Sequence, residues 1–330
     1  MALLGLGSTA ATAATAATAV VVENADPSLA ELPADLPADL PADLPADLPI
    51  DPIVGGVLTS QTELDAVVSI RGQFQCTGTL ISPTIVLTAA HCLAQERPDA
   101  NLTVYFGSVE SADNSMVATR FELHPRFCDL CEQERLDFAF VELPEPYLPS
   151  DGLLLPMVDQ WEWDETMRQG NVVQVVGFGA SDPYAGEMGQ PSGAGVKRKI
   201  TTTFGKFTTQ GVEFFAGGHG RDTCNGDSGG PALVPLGTGQ WRLAGVTSRG
   251  STPCGDGGWY GVPYYALQWL ETRTDVQWLP TGCELATCLD TTPVSNDDGS
   301  CAVHPTHTNE PKWTWLGLGV LGLWARRRRR

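Results

Sequence analysis

Basic residues are scarce in this chain. Lys and Arg together number 20 against 39 Asp and Glu, for a formal net charge of −19. That deficit argues against a nucleic-acid partner and fits solubility or attraction to basic substrates. No Lys or Arg precedes Arg71, so the apolar, Ala- and Thr-rich stretch 1–22 lacks a basic n-region, although its composition otherwise reads as an export signal. A long apolar run is missing too. The C-terminal run Trp313–Ala325 spans 13 residues, short of the roughly 20 needed for a stable membrane span. A complete zinc-ligand set is also absent: Cys128 and Cys131, with His124 nearby, offer too few ligands, which favours a local disulfide over a metal site. The chemistry argued below needs no metal and no cofactor.

What the chain does have is chemistry for acyl transfer. The run Gly226–Pro231 reads GDSGGP and can place a serine hydroxyl beside a bank of backbone N–H donors. A serine needs a base to take its proton, and the base needs an acceptor behind it to fix its tautomer. His91 follows the apolar run Thr84–Leu87, which reads as a buried strand ending in a tight corner. Asp137 opens DFAFVEL, where a lone carboxylate among apolar residues is costly unless something donates to it. The order His91, Asp137, Ser228 is one of the few in which this constellation recurs.

Four motifs in this order resemble the trypsin-like, chymotrypsin-fold serine proteases: IVGG at Ile53–Gly56, CTGTLISPTIVLTAAHC at Cys76–Cys92, VVGFG at Val175–Gly179 and GRDTCNGDSGGP around Ser228. The resemblance covers residues 53–280. It implies an all-β fold of two six-stranded antiparallel Greek-key β-barrels with a C-terminal α-helix, which the 36 Gly, the 24 Pro and the short Val-, Thr- and Ile-rich runs fit independently. A helix is expected at Tyr264–Trp278. The resemblance implies that His91 is the general base, Asp137 its orienter and Ser228 the nucleophile. Gly226 and Ser228 would supply the oxyanion-hole N–H pair.

Asp222, six positions before Ser228, matches the pocket-bottom residue. A carboxylate there favours Lys or Arg before the scissile bond. Ser248 and Gly250 belong to the expected substrate-binding segment, and Gly250 and Gly261 are assigned as the two open wall positions. Arg249 stands where the family usually has Trp. It could favour acidic or polar residues further upstream in the substrate, or simply point into solvent. Activation in the family frees the ammonium of the IVGG segment, here Ile53, to pair with Asp227. Pro52 replaces the usual basic residue before the cut, so an activating protease of different specificity is implied.

The family resemblance also implies the disulfides Cys76–Cys92 and Cys224–Cys254. Cys283 is expected to pair with Cys288, and an odd total of nine cysteines leaves Cys301 over. Outside the peptidase region 53–280, the chain divides into the signal-like segment 1–22, an LPAD-repeat spacer or propeptide at 23–52, a cysteine-containing linker at 281–312, and the apolar segment with its Arg cluster at 313–330. The last resembles bacterial sorting tails of the MYXO-CTERM or GlyGly-CTERM kind, with a sorting peptidase and transient membrane attachment implied. The expected protein is a secreted or surface-attached endopeptidase acting on protein substrates after Lys or Arg. The alternative is a catalytically silent protease-fold protein serving binding or adhesion.

Overall fold

The computed structural model describes residue 53 and residues 56–181, 192–251, 254–283 and 288–292. The expected signal, spacer, sorting tail and Cys301 lie outside them. After a short strand β1 (Val57–Leu58), seven strands form the first sheet: β2 (Val67–Arg71), β3 (Gln75–Leu80), β4 (Ile85–Thr88), β5 (Thr103–Tyr105), β6 (Ser115–Val117), β7 (Arg120–Leu123) and β8 (Ala139–Glu142), in the order β6-β5-β2-β3-β4-β8-β7. The sheet is a half-barrel whose two edge strands, β6 and β7, are consecutive in the chain. Ala118 N–H donates to Leu102 O and Thr119 N–H to Glu142 O, so only a two-residue bend separates the pairing of β6 with β5 from that of β7 with β8.

The second barrel closes fully. Its strands are β9 (Val172–Gly177), β10 (Arg198–Phe207), β11 (Glu213–Ala216), β12 (Pro231–Pro235), β13 (Trp241–Gly250) and β14 (Gly258–Gly261). They pair in the ring β9-β10-β11-β14-β13-β12 and back to β9, with β1 added at β10. Closure removes the sheet edges that would otherwise recruit other chains. Apolar side chains on the strands of both sheets are wholly or almost wholly buried, among them Val68, Ile70, Val86, Leu87 and Val104 in the first and Val173, Val175, Phe214, Leu233 and Ala244 in the second.

Two helices flank the barrels. α1 (Gln160–Thr166) is capped by Asp159, whose side chain accepts from Glu162 N–H, and the sequence reading did not anticipate it. α2 (Tyr264–Thr274) starts where expected but stops four residues early, at Asp275 in the left-handed region with φ 57°. Leu267 and Leu270 are buried on α2, and Trp269 packs on Phe140 and His124 of the half-barrel. Among the residues described, four disulfides form: Cys76–Cys92, Cys128–Cys131, Cys224–Cys254 and Cys283–Cys288.

Candidate active site

The pairing of β4 with β8 explains why two residues 46 apart meet. Thr88 lies opposite Ala139, so the chain leaving β4 and the chain entering β8 emerge at the same sheet end. His91 sits in the single 3-10 turn Ala90–Cys92 after β4, and Asp137 comes two residues before Ala139. His91 Nδ1 lies 2.7 Å from Asp137 Oδ2, and His91 N–H donates to Asp137 Oδ1 at 2.9 Å. Ser248 Oγ donates to the same Oδ2 at 2.6 Å. Asp137 is almost fully buried. Burial pushes its pKa up, but the His91 and Ser248 bonds outweigh that and hold it below the ordinary aspartate value.

Ser228 is held at the seam between the sheets. Thr77 N–H of β3 donates to Ser228 O at 2.8 Å, Gly229 N–H donates to Thr247 O, and Gly230 N–H to Asp227 O. Thr77 Oγ1 donates to Gly226 O and accepts from Phe178 N–H, tying both barrels to the loop. Gly226 has φ +98°, and a Cβ there would stand 2.9 Å from Gly179 Cα, so this turn requires glycine. The N–H groups of Gly226 and Ser228 donate to no described residue. His91, Gly226 and Ser228 line one cavity of about 600 Å³, together with Gln75 and Asp129. Among the residues described, no hydrogen bond joins His91 to Ser228.

Asp222 is wholly buried but does not line that cavity. Its Oδ1 accepts from Thr223 N–H at 2.7 Å, while Oδ2 is buried with no hydrogen-bond partner among the residues described. Burial raises its pKa against the pull of the Thr223 donors and of the Gly255 and Gly257 N–H groups. A Cβ on Gly250 would meet Asp222 Oδ2 at 3.7 Å, and one on Gly258 would meet Oδ1 at 3.3 Å. Gly261 does not share this position. A Cβ there would stand 2.8 Å from the Phe138 ring instead. The glycine opposite Gly250 across β13 and β14 is Gly258, and this replaces the assignment of Gly261 as a wall.

Arg249 follows neither expectation. Its guanidinium grips Glu213 through two bonds of 2.7 and 2.9 Å, donates to Glu132 O at 2.8 Å and lies over the Trp259 ring. Glu213, almost wholly buried on β11, also accepts from the N–H groups of Glu134 and Arg135. Four donors satisfy one carboxylate, and together they pin the Cys128–Cys131 loop against β13 and β11. The local disulfide expected of Cys128 and Cys131 forms, and His124 Nδ1 accepts from Arg126 N–H.

Ile53 is fully buried in the unbroken chain. Asp227 is fully buried as well, its oxygens accepting from Gly179 N–H and Cys224 N–H, each at 2.8 Å. No cation pairs with it among the residues described, and burial lifts its pKa to about 7. Gly258, Glu213, Gln75 and Asp129 escaped the sequence reading. Only strand phase could have signalled the first, and the others have no local signal.

A family model described as Trypsin matches residues 53–269. The chain belongs to the trypsin family. Among curated relatives, this trypsin-family chain is 29% identical over 268 residues to the Spaetzle-processing enzyme of Drosophila melanogaster, covering 64% of this chain and 63% of that protein. It is 28% identical over 267 residues to Melanization protease 1 of the same organism, covering 68% and 66%. It is 31% identical over 222 residues to Trypsin 5G1 of Aedes aegypti, covering 64% and 79%. The match thus spans just under two thirds of the length of the first two relatives.

Proposed function

We propose that this chain is a secreted serine endopeptidase that hydrolyses peptide bonds after Lys or Arg. The observation that carries the reading is the 2.7 Å bond from buried Asp137 to His91 Nδ1, in a cavity that His91 shares with Ser228 and Gly226. Asp137 stays ionised and fixes the imidazole with its Nε2 free to act as base. His91 Nε2 takes the Ser228 hydroxyl proton as Oγ bonds to the carbonyl carbon. The N–H groups of Gly226 and Ser228 hold the resulting oxyanion, each worth about 3 kcal/mol. The imidazolium then protonates the leaving amine, an acyl-enzyme remains, and water repeats the sequence to release the acid. The unpartnered Oδ2 of Asp222 supports a cationic substrate side chain, because a buried carboxylate oxygen gains most from a charged donor. Full assembly follows a cut before Ile53 by a protease that does not require a basic residue. Segments 1–22 and 23–52 act as export signal and propeptide, residues 53–280 form the peptidase, and segments 281–312 and 313–330 form a linker and a sorting tail that holds the protein transiently at a membrane.

Two observations favour a second reading, a silent binding protein. In the unbroken chain Asp227 has no cationic partner among the residues described, and Ser228 and His91 are not hydrogen-bonded. Labelling with a phosphonate ester that carries a basic side chain separates the two. After trimming to Ile53, an endopeptidase labels at Ser228 and the Ser228→Ala variant does not. No labelling of the trimmed, folded protein contradicts the endopeptidase reading.

A further inference from the structure

The Cys128–Cys131 disulfide closes a small ring around two residues, Asp129 and Leu130. The ring is anchored on several sides. Cys128 N–H donates to Arg135 O, Arg135 Nε donates to Cys131 O, and Arg249 donates to Glu132 O just beyond it. Within the ring Leu130 is 94% exposed, whereas Asp129 turns to the cavity that holds His91, Gly226 and Ser228.

The side of the cavity decides which part of a substrate Asp129 meets. A side chain heading for Asp222 passes Gly250 at the end of β13, so the residues before it run along that strand's edge. The ring is pinned to the same edge through Arg249. Arg249 is neutralised by Glu213, whereas Arg135 is ion-paired with Asp129 itself, its Nη1 3.6 Å from Asp129 Oδ1, at a site where Asp129 is 67% exposed. A pair this long and this exposed is weak, so Asp129 remains available to a cationic side chain in the cleft in competition with Arg135.

We propose that Asp129, held in its disulfide ring, determines specificity by selecting a basic residue at the second or third position before the scissile bond. The inference rests on the reading that a peptide occupies this cleft. It makes clustered Lys and Arg, rather than a single basic residue, the preferred cleavage context.

The test uses the full chain processed at Ile53 and peptides that end in Arg before a reporter amide, with Lys, Ala or Glu at each of the two preceding positions. Asp129 is 67% exposed, so its attraction for Lys and repulsion of Glu give a Lys-over-Glu ratio of kcat/KM on the order of tenfold, shrinking with added salt. Asp129→Asn brings the ratio close to one, Asp129→Glu keeps it, and Asp129→Lys reverses it. A purely structural role for Asp129 cannot produce that reversal. Cleavage with a ratio near one, or a ratio that Asp129→Lys leaves in place, overturns the inference and spares the endopeptidase reading. Binding of the same peptides to the Ser228→Ala chain provides a readout that does not depend on catalysis. A Lys preference there, without any cleavage by the unaltered chain, supports the inference and removes the endopeptidase reading.

Discussion

Asp227 should make the precursor less stable as pH rises, and cleavage before Ile53 should relieve that loss. The carboxylate is fully buried against Gly179, whose Cβ, if present, would stand 2.6 Å from Asp227 Cγ, so no water-sized space separates the two. Burial lifts its pKa from 3.8 to about 7. In the unfolded chain the group ionises near 3.8, so between about pH 4 and pH 7 the folded state binds the extra proton and stability falls with rising pH. Below pH 4 both states are protonated and the cost vanishes. Above pH 7 both are ionised and the full cost stands. The span between the two pKa values corresponds to about 4 kcal/mol as a ceiling, a large share of a domain's total stability. An ammonium freed at Ile53 and paired with Asp227 would offset most of it. Denaturant unfolding from pH 4 to 8, on a Ser228→Ala background to prevent self-digestion, compares the unbroken chain with the form that starts at Ile53. The precursor should lose stability across this range, the processed form much less, and Asp227→Asn should flatten the precursor's profile. Asn there lowers stability at every pH, since its amide N–H meets the donors of Gly179 or Cys224, so the slope is the readout. Equal slopes in the two forms, or a slope that survives Asp227→Asn, would refute the reasoning.

The site makes further predictions. Asp137→Asn should lower kcat by about 10⁴-fold through loss of the correct His91 tautomer, with circular dichroism unchanged. Asp222→Ser should cost about 10²–10³-fold in kcat/KM for substrates with Lys or Arg before the cut, but leave Ser228 reactive toward a small acylating ester. Gly258→Ala and Gly261→Ala should separate in kind. The first narrows the approach to Asp222 and reduces cleavage after Arg, while the second collides with Phe138 and lowers the unfolding free energy by about 1–3 kcal/mol. Arg249→Ala strands buried Glu213 and should cost about 3 kcal/mol, measured by denaturant unfolding, with partial recovery in the double variant carrying Glu213→Gln.

Much of this architecture can be read in the sequence because the family's motifs sit on strand ends. The run Thr84–Leu87 falls on β4, DFAFVEL on β8 and VVGFG on the end of β9, and the residues between strand and turn are those that carry the chemistry. The errors have physical causes. The expected helix 264–278 runs past Asp275 because Val276 and Trp278 continue the apolar spacing, yet they pack from a non-helical segment in which Trp278 Nε1 donates to Ile81 O. α1 is short and acidic, and its stability comes from tertiary contacts: Trp163 on Phe207 and Glu162 on Arg242. Gly261 was mistaken for a wall because the glycine-rich stretch 255–261 offers several matches. In a strand, residues three apart face opposite sides, so Gly258 and Gly261 cannot both look at Asp222. Arg249 was legible as unusual, but its partner lies 36 residues away on β11, and only the β11-β14-β13 pairing brings the two together.

The central claim is that His91, Asp137 and Ser228 cleave peptides after Lys or Arg once Ile53 is the first residue. The most direct test is to start the protein at Ile53, verify that start by mass spectrometry, and measure kcat/KM on a panel that varies the residue before the scissile bond, with Ser228→Ala as control. The account predicts fast cleavage after Arg and Lys, little after other residues, and none in the control. Equal rates in the Ser228→Ala control, no cleavage by the folded protein, or efficient cleavage after apolar residues would contradict it.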